Sequence, residues 1–241
     1  MIRLCKANIR RLIKNRLFIF GSIVIFFIAL WYVRYGGSFI LTTDSADQRA
    51  MMINALIPGF ITLFYGLFTA PELSEGVIRN KLSVGYRQSS VYLSYAVTSV
   101  ASVCVLTLVW LAASILGGVK ITSGFLLFII VSLFSSVNYA GLIHLFCMRI
   151  RKSILAIALS ILTLQTLASV LLFINAFYSA YEDMTFKFIL NMLPLGQWLT
   201  YTPLSTEGAG MSPVVMTVIS LISTTVYVLI GSIGINRREI K

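Results

Sequence analysis

Six long stretches without a single charge divide this chain. Residues 17–33, 50–71, 88–119, 121–148, 153–181 and 208–236 are mostly apolar and lie between consecutive charged residues. Each is near or above the ~20 residues that a helix needs to cross a bilayer. The runs are continuously apolar and do not alternate, and a backbone in hydrocarbon must satisfy its own hydrogen bonds, so helices are expected and a barrel is not. Only 11% of the 241 residues are charged, against roughly 25% in a soluble domain. The expected fold class is an all-α integral membrane protein, a single transmembrane domain with spanning helices at 17–33, 50–71, 91–116, 124–147, 153–175 and 213–235.

The bases give an orientation. If both ends of the chain share a side, that side receives Arg3, Lys6, Arg10, Arg11, Lys14, Arg16, Arg79, Lys81, Arg87, Arg149, Arg151, Lys152, Arg237, Arg238 and Lys241. Only Arg34, Arg49, Lys120 and Lys187 fall opposite. The excess of bases on cytoplasmic loops then predicts a multi-pass protein of the cell membrane with both ends in the cytoplasm. The net charge of +11 reads as a topology signal; bases spread over four short segments are a poor nucleic-acid surface. All eight acids, Asp44, Asp47, Glu72, Glu75, Glu182, Asp183, Glu207 and Glu239, lie between or beyond the apolar runs, where they are badly placed for an ion relay at membrane depth.

Three segments between the spans carry further pattern. In 1–16, Ile2, Cys5, Ile9, Leu12 and Ile13 share one arc of a helical wheel and Arg3, Lys6, Arg10 and Lys14 share another, as in a helix lying on a membrane surface. Arg16 falls on the apolar arc, so this helix should end or turn there. The first apolar run follows bases as a secretion signal does, but it is too long for that and no small-residue cleavage site follows Val33, so it is expected to be retained. On the opposite side, residues 176–212 form a long segment in which Phe188–Thr206 is free of charge yet broken by Pro194, Gly196 and Pro203. Re-entrant half-helices are expected there, with Pro194 and Gly196 forming an outer gate and Trp198 and Tyr201 at the interface.

The segment 72–90 is charged and cytoplasmic in this scheme. Pro71 is suited to start a helix, Glu72 and Glu75 to its N-terminal end, Arg79 and Lys81 to its C-terminal end and Gly85 to its termination, with Ser89 or Ser90 capping the next span. Its charges are suited to fix register on a soluble partner, and Val77, Ile78 and Leu82 to anchor it. Glu75-Gly76 followed by IRNKLSVGYRQSSVYLS (78–94) resembles the cytoplasmic loop of the permease subunits of type 2 ABC exporters. The basic amphipathic start, six spans, Leu195-Gly196-Gln197 before the last helix and the basic NRREIK end are similar as well.

The resemblance implies that 72–90 is a coupling helix docking an ABC ATPase subunit through Glu72, Glu75, Gly76, Val77, Arg79 and Leu82. It also implies two copies of that ATPase, a second permease (identical or homologous), and a path walled by Phe60, Phe64, Thr163 and Leu167. An aromatic-rich, uncharged bundle favours hydrophobic or amphipathic cargo leaving the cytoplasm, with peptides, toxins or bacteriocins foremost. The alternative is a six-helix channel or secondary carrier that needs no ATPase.

Catalytic chemistry finds little to work with. No GxxxxGK[ST] phosphate loop exists, so no cofactor is expected on this chain, and ATP and Mg belong to the partner subunit. His144 is the one histidine, with no GxSxG and no intramembrane acid to orient it, and hydrogen bonding between helices is its expected role. Cys5, Cys104 and Cys147 lack metal-ligand or CxxC spacing, so no metal site, disulfide framework or catalytic residue is expected. The intramembrane polar residues Asn54, Thr62, Asn138, Ser160, Thr163, Gln165 and Thr166 read chiefly as glue between helices.

Overall fold

A computed structural model describes residues 1–36, 45–74, 77–150, 153–205 and 207–233, and every regular element in them is helical. In chain order these are α1 (Ile2–Lys14), α2 (Arg16–Tyr35), α3 (Ala46–Ile53), α4 (Leu56–Ser74), α5 (Val77–Ser83) and α6 (Gln88–Leu116). They are followed by α7 (Ser123–Arg149), α8 (Ser153–Tyr181), α9 (Met184–Met192), α10 (Gly196–Leu199) and α11 (Pro213–Ser232). Six stretches are long and apolar enough to cross a membrane: Arg16–Tyr35, Ala46–Thr69, Gln88–Leu116, Ser123–Arg149, Ile154–Tyr181 and Pro213–Ser232. Their mean hydropathies run from 1.7 to 2.2, the mark of a multi-pass membrane protein.

The spans differ from the sequence reading at their ends and in one interior. The second span is two helices, α3 and α4, interrupted at Asn54–Ala55. It starts earlier than residue 50 because Ser45 caps α3 by accepting from the Gln48 amide, and because Arg49 turns its guanidinium onto the Val33 carbonyl at 2.8 and 3.0 Å. The third span starts at Gln88 with Arg87 at the cap position, so neither Ser89 nor Ser90 caps it. The fifth runs six residues beyond 175 and stops at Tyr181, where Glu182 takes a left-handed backbone (φ 51°). The last described helical residue of the sixth is Ser232, and residues 234–235 of the expected span lie outside the described residues.

Between α1 and α2 the chain turns on one residue. Asn15 ends α1, and its Oδ1 accepts from the Leu17 and Phe18 amides to start α2, which places the expected turn one residue before Arg16. At the centre of the bundle α7 packs against α4, α6, α8, α10 and α11. The largest fully buried side chains, including Trp110, Tyr65, Tyr92, Tyr95, Tyr139, Phe64 and Phe68, fill the space between α4, α6 and α7 or, for Phe64, between α4 and α2. Aromatic bulk rather than leucine packing sets the helix spacing here. Where a large ring meets a neighbour, a glycine accommodates it: Gly21 on α2 faces the Phe60 ring and Gly231 on α11 faces the Tyr92 hydroxyl, each with no room for a Cβ.

Candidate functional site

At the α1 end of the bundle, three short pieces of chain are bound together. α1 lies against α6 along Leu4, Asn8 and Leu12, all 5% exposed or less, and Asn8 Nδ2 donates to Ser94 Oγ at 2.9 Å. The i, i+4, i+8 spacing of these three keeps them on one face. Arg11 reaches the end of α4, donating to the Phe68 carbonyl at 3.2 Å with its guanidinium 4.6 Å from the Phe68 ring centroid. From α5, Lys81 Nζ donates to the Tyr95 hydroxyl at 2.8 Å and lies over the same ring. Burial, with Arg11 adding repulsion, lowers the Lys81 pKa to about 8.

The surface of α1 is thus divided in three. One face is buried on the protein; Ile2 (85% exposed) and Ile13 (58%) with the half-buried Cys5 and Ile9 form a second; Arg3, Lys6, Arg10 and Lys14 form the third. The apolar arc read from the sequence is therefore split, because Leu12 belongs to the buried line and the rest of the arc faces away from the bundle.

The segment 72–90 also differs from its sequence reading. Helix does not begin at Pro71: α4 continues through Ser74, so Glu72 stands in the last turn of a helix, and a new helix begins at Val77. A proline removes one intrahelical bond, and the last turn of α4 survives that loss. Glu75 and Gly76 lie outside the described residues, as do the side chains of Pro71 and Glu72. Gly85 follows the helix with φ 93°, its amide bonded to Leu82 O and the Tyr86 amide to Lys81 O, a left-handed turn that favours glycine. Of the expected anchors, Ile78 is buried in the chain's own bundle, Leu82 packs on its core and Val77 is half-buried. Arg79 is exposed, and Val84 at 77% exposure is an outward apolar residue that the sequence reading passed over.

The four residues expected to wall a path fall in different settings. Phe64 is 1% exposed, stacked on Phe60 at 5.4 Å and tilted against Phe18 at 5.1 Å, so it lies inside the chain's own α2–α4 packing. Phe60, Thr163 and Leu167 are half-buried, and the Thr163 hydroxyl is bonded to Leu159 O of its own helix. Beside them α8 exposes Gln165, Thr166 and Ser169; the two hydroxyls return to the backbone of α8, and the Gln165 amide is turned outward.

At the opposite end, α9 and α10 fold back between α8 and α11. Asp183 caps α9 by accepting from the Thr185 amide at 2.6 Å, which holds its carboxyl below the usual range. Pro194 separates the two short helices, and Leu195 has φ 65°. Gly196 lies so close to the Leu190 carbonyl that a Cβ would stand 1.7 Å from the oxygen. Gln197, buried, donates to Asn191 O at 3.0 Å and accepts from Ser220 Oγ of α11 at 2.7 Å, while Asn191 Nδ2 donates to Ala209 O. The motif Leu195-Gly196-Gln197 thus supplies a turn, a close approach and a latch.

Of the intramembrane polar residues expected to join helices, Thr62 does so, whereas most buried hydroxyls, Ser160 included, bond the backbone of their own helix. Tyr65 donates its hydroxyl proton to Tyr95 O at 2.8 Å, so the 2.9 Å contact with His144 is donated by the His144 Nδ1–H. Thr62 and Tyr139 share a hydrogen bond at 2.7 Å, and Ser160 binds Ala156 O. Asn54, at the break in the second span, is buried with neither amide atom partnered among the described residues. Among the described residues, no three His, Cys, Asp or Glu side chains converge as a metal site would require.

Asn8 and Val84, and the pairings of Lys81 with Tyr95 and of Gln197 with Ser220, have no counterpart in the sequence reading. The spacing of Leu4, Asn8 and Leu12 carries a signal for the first; the others depend on long-range neighbours that no local pattern reveals. No family of known proteins matches the chain, and no curated protein matches it either.

Proposed function

We propose that this chain is the membrane-spanning permease subunit of an ATP-driven ABC exporter. The observation that carries the reading is α5, seven residues between two long spans, fixed to the bundle through Ile78 and Lys81 and turning Arg79 and Asn80 outward. An element clamped on one side and exposed on the other transmits force. A partner pressing on Arg79 and Val84 would move α6 through Tyr95, and the basic α1 packed against α6 would follow. Two ABC ATPase subunits, holding ATP and Mg, would supply that force through Val77, Arg79, Leu82 and the preceding Glu72, Glu75 and Gly76.

The outward amide of Gln165 supports a second permease subunit, identical or homologous, since an amide facing hydrocarbon lacks partners that a neighbouring subunit would provide. The cell membrane is the site of action, with cytoplasmic ends and an amphipathic or hydrophobic cargo such as a peptide. The segment from Phe188 to Thr206, with Pro194 and Gly196, would close the outer end.

The test is copurification with an ABC ATPase encoded beside this gene, together with cargo-stimulated ATPase turnover in nanodiscs. Arg79→Glu is expected to weaken association chiefly through its rate. Val84→Ala is expected to cost about 2 kcal/mol if the residue is a docking hot spot. Cargo movement through the chain alone, unaffected by ATP or by either variant, would establish the channel or carrier alternative.

A further inference from the structure

The basic face of α1 forms a cradle whose shape goes beyond a row of charges. Arg3, Lys6, Arg10, Arg11 and Lys14 surround Ala7 and line a shallow, open groove of about 510 Å³. Ala7 is central because Arg3, Arg10 and Arg11 stand four residues before it and three and four residues after it, the positions that neighbour it on a helix surface. A methyl group among five long cationic side chains leaves a hollow, and the helix bears no acid to neutralise it. Arg11 is tied to the Phe68 carbonyl and ring, so the cradle is held in a set orientation on the bundle.

The depth of this cradle follows from the other two faces of the helix. The buried line Leu4, Asn8, Leu12 holds α1 sideways against α6, and the exposed Ile2 and Ile13 are placed to enter hydrocarbon. The bases lie on the third face, about 100° around the helix from the exposed apolar one, at the level where lipid phosphates begin. Guanidinium forks pair with phosphate oxygens through two parallel hydrogen bonds, and bases near an anionic surface add roughly equal increments of binding.

We infer that the Ala7-centred cradle on α1 binds the headgroup of an anionic phospholipid. It is a lipid site attached to α6 through Asn8 and Ser94 and to α4 through Arg11, so occupancy is felt by both spans. The inference does not depend on the ATPase reading.

The test uses the whole protein in detergent, titrated with phosphatidylglycerol or phosphatidylcholine and read by native mass spectrometry. Wild type is expected to retain phosphatidylglycerol preferentially. A variant combining Arg3→Gln, Lys6→Gln, Arg10→Gln and Lys14→Gln, all at exposed positions, should bind it at least about a hundredfold more weakly, at about fivefold per base. Ala7→Glu, which puts a carboxylate on the floor of the cradle, should weaken binding with every base in place. Undiminished preference in both variants overturns the site. Full competition by inorganic phosphate at equal concentration would mark a free-anion site, and displacement of the lipid by polyglutamate at equal charge would mark a protein-docking face; either result overturns the assignment to lipid.

Discussion

Gln197 makes two hydrogen bonds from a fully buried position, one to Asn191 O and one from Ser220 Oγ, and it is the side chain that ties α10 to α11. Gln197→Ala strands both partners, and an unsatisfied buried polar group costs about 1–3 kcal/mol. We expect the variant to lose about 2 kcal/mol of stability, seen as a lower thermal midpoint in detergent, and Gln197→Glu to be less stable than wild type above the carboxyl's pKa, because an ionised carboxylate cannot donate to Asn191 O. Lys81 gives a pH signature. Its folded pKa of about 8 is below the ordinary 10.5, so between these values the unfolded chain holds more protons and stability rises with pH; below about 8 both states are protonated and the penalty on the charged form is constant. Partial exposure screens the amplitude. Thermal midpoints from pH 7 to pH 10 should therefore rise more steeply for wild type than for Lys81→Met; parallel curves would show that the amine is not perturbed.

Elements were legible wherever period and length agreed, and obscure where tertiary packing chose between faces. The six long spans follow from uninterrupted apolar runs, since hydrocarbon leaves a backbone no alternative. For α1 the periodicity identified a helix, yet the bundle takes the Leu4–Asn8–Leu12 line and leaves Ile2 and Ile13 outside. A polar Asn8 in the buried line is intelligible only once Ser94 is known to face it. Proline is favoured in a first turn, so Pro71 signals a helix start, but α4 carries its helix past it to Ser74. The Gly196 approach to Leu190 and the Gln197 latch are contacts across a turn and between elements, and no spacing rule encodes them. For α1 the hydrogen bond to α6 gives a prediction: Asn8→Ala should cost about 0.6 kcal/mol, the usual size between membrane helices, and should raise the accessibility of a cysteine at Val91, buried on α6 one turn before Ser94. An unaltered labelling rate would mean that α1 is held by Leu4 and Leu12 alone.

Across the whole molecule, α1, α5 and the far ends of α7 and α11 gather at one end, while α9 and α10 occupy the other. The proposed topology, with the basic end in the cytoplasm, predicts that an impermeant thiol reagent on intact cells labels a cysteine at Met184, which is 70% exposed, and misses one at Ser83 until the membrane is opened. Labelling of Ser83 in intact cells would reverse the topology. α11 is secured at both ends: Ser220 meets Gln197 near one, and Arg149 donates to the Ile230 and Ile233 carbonyls, the latter at 2.8 Å, at the other. Both receptors, Gln197 and Arg149, precede α11 in the chain and are made before it. During synthesis α11 thus emerges onto a finished seat, and its arrival brings the Ser220 hydroxyl to Gln197 Oε1 and the Ile230 and Ile233 carbonyls to Arg149. A chain truncated before Pro213 would lack these bonds and leave Gln197 Oε1 without its Ser220 donor, and we expect the cell's quality-control proteases to shorten its lifetime in a pulse-chase experiment, so that docking of α11 acts as the release from surveillance.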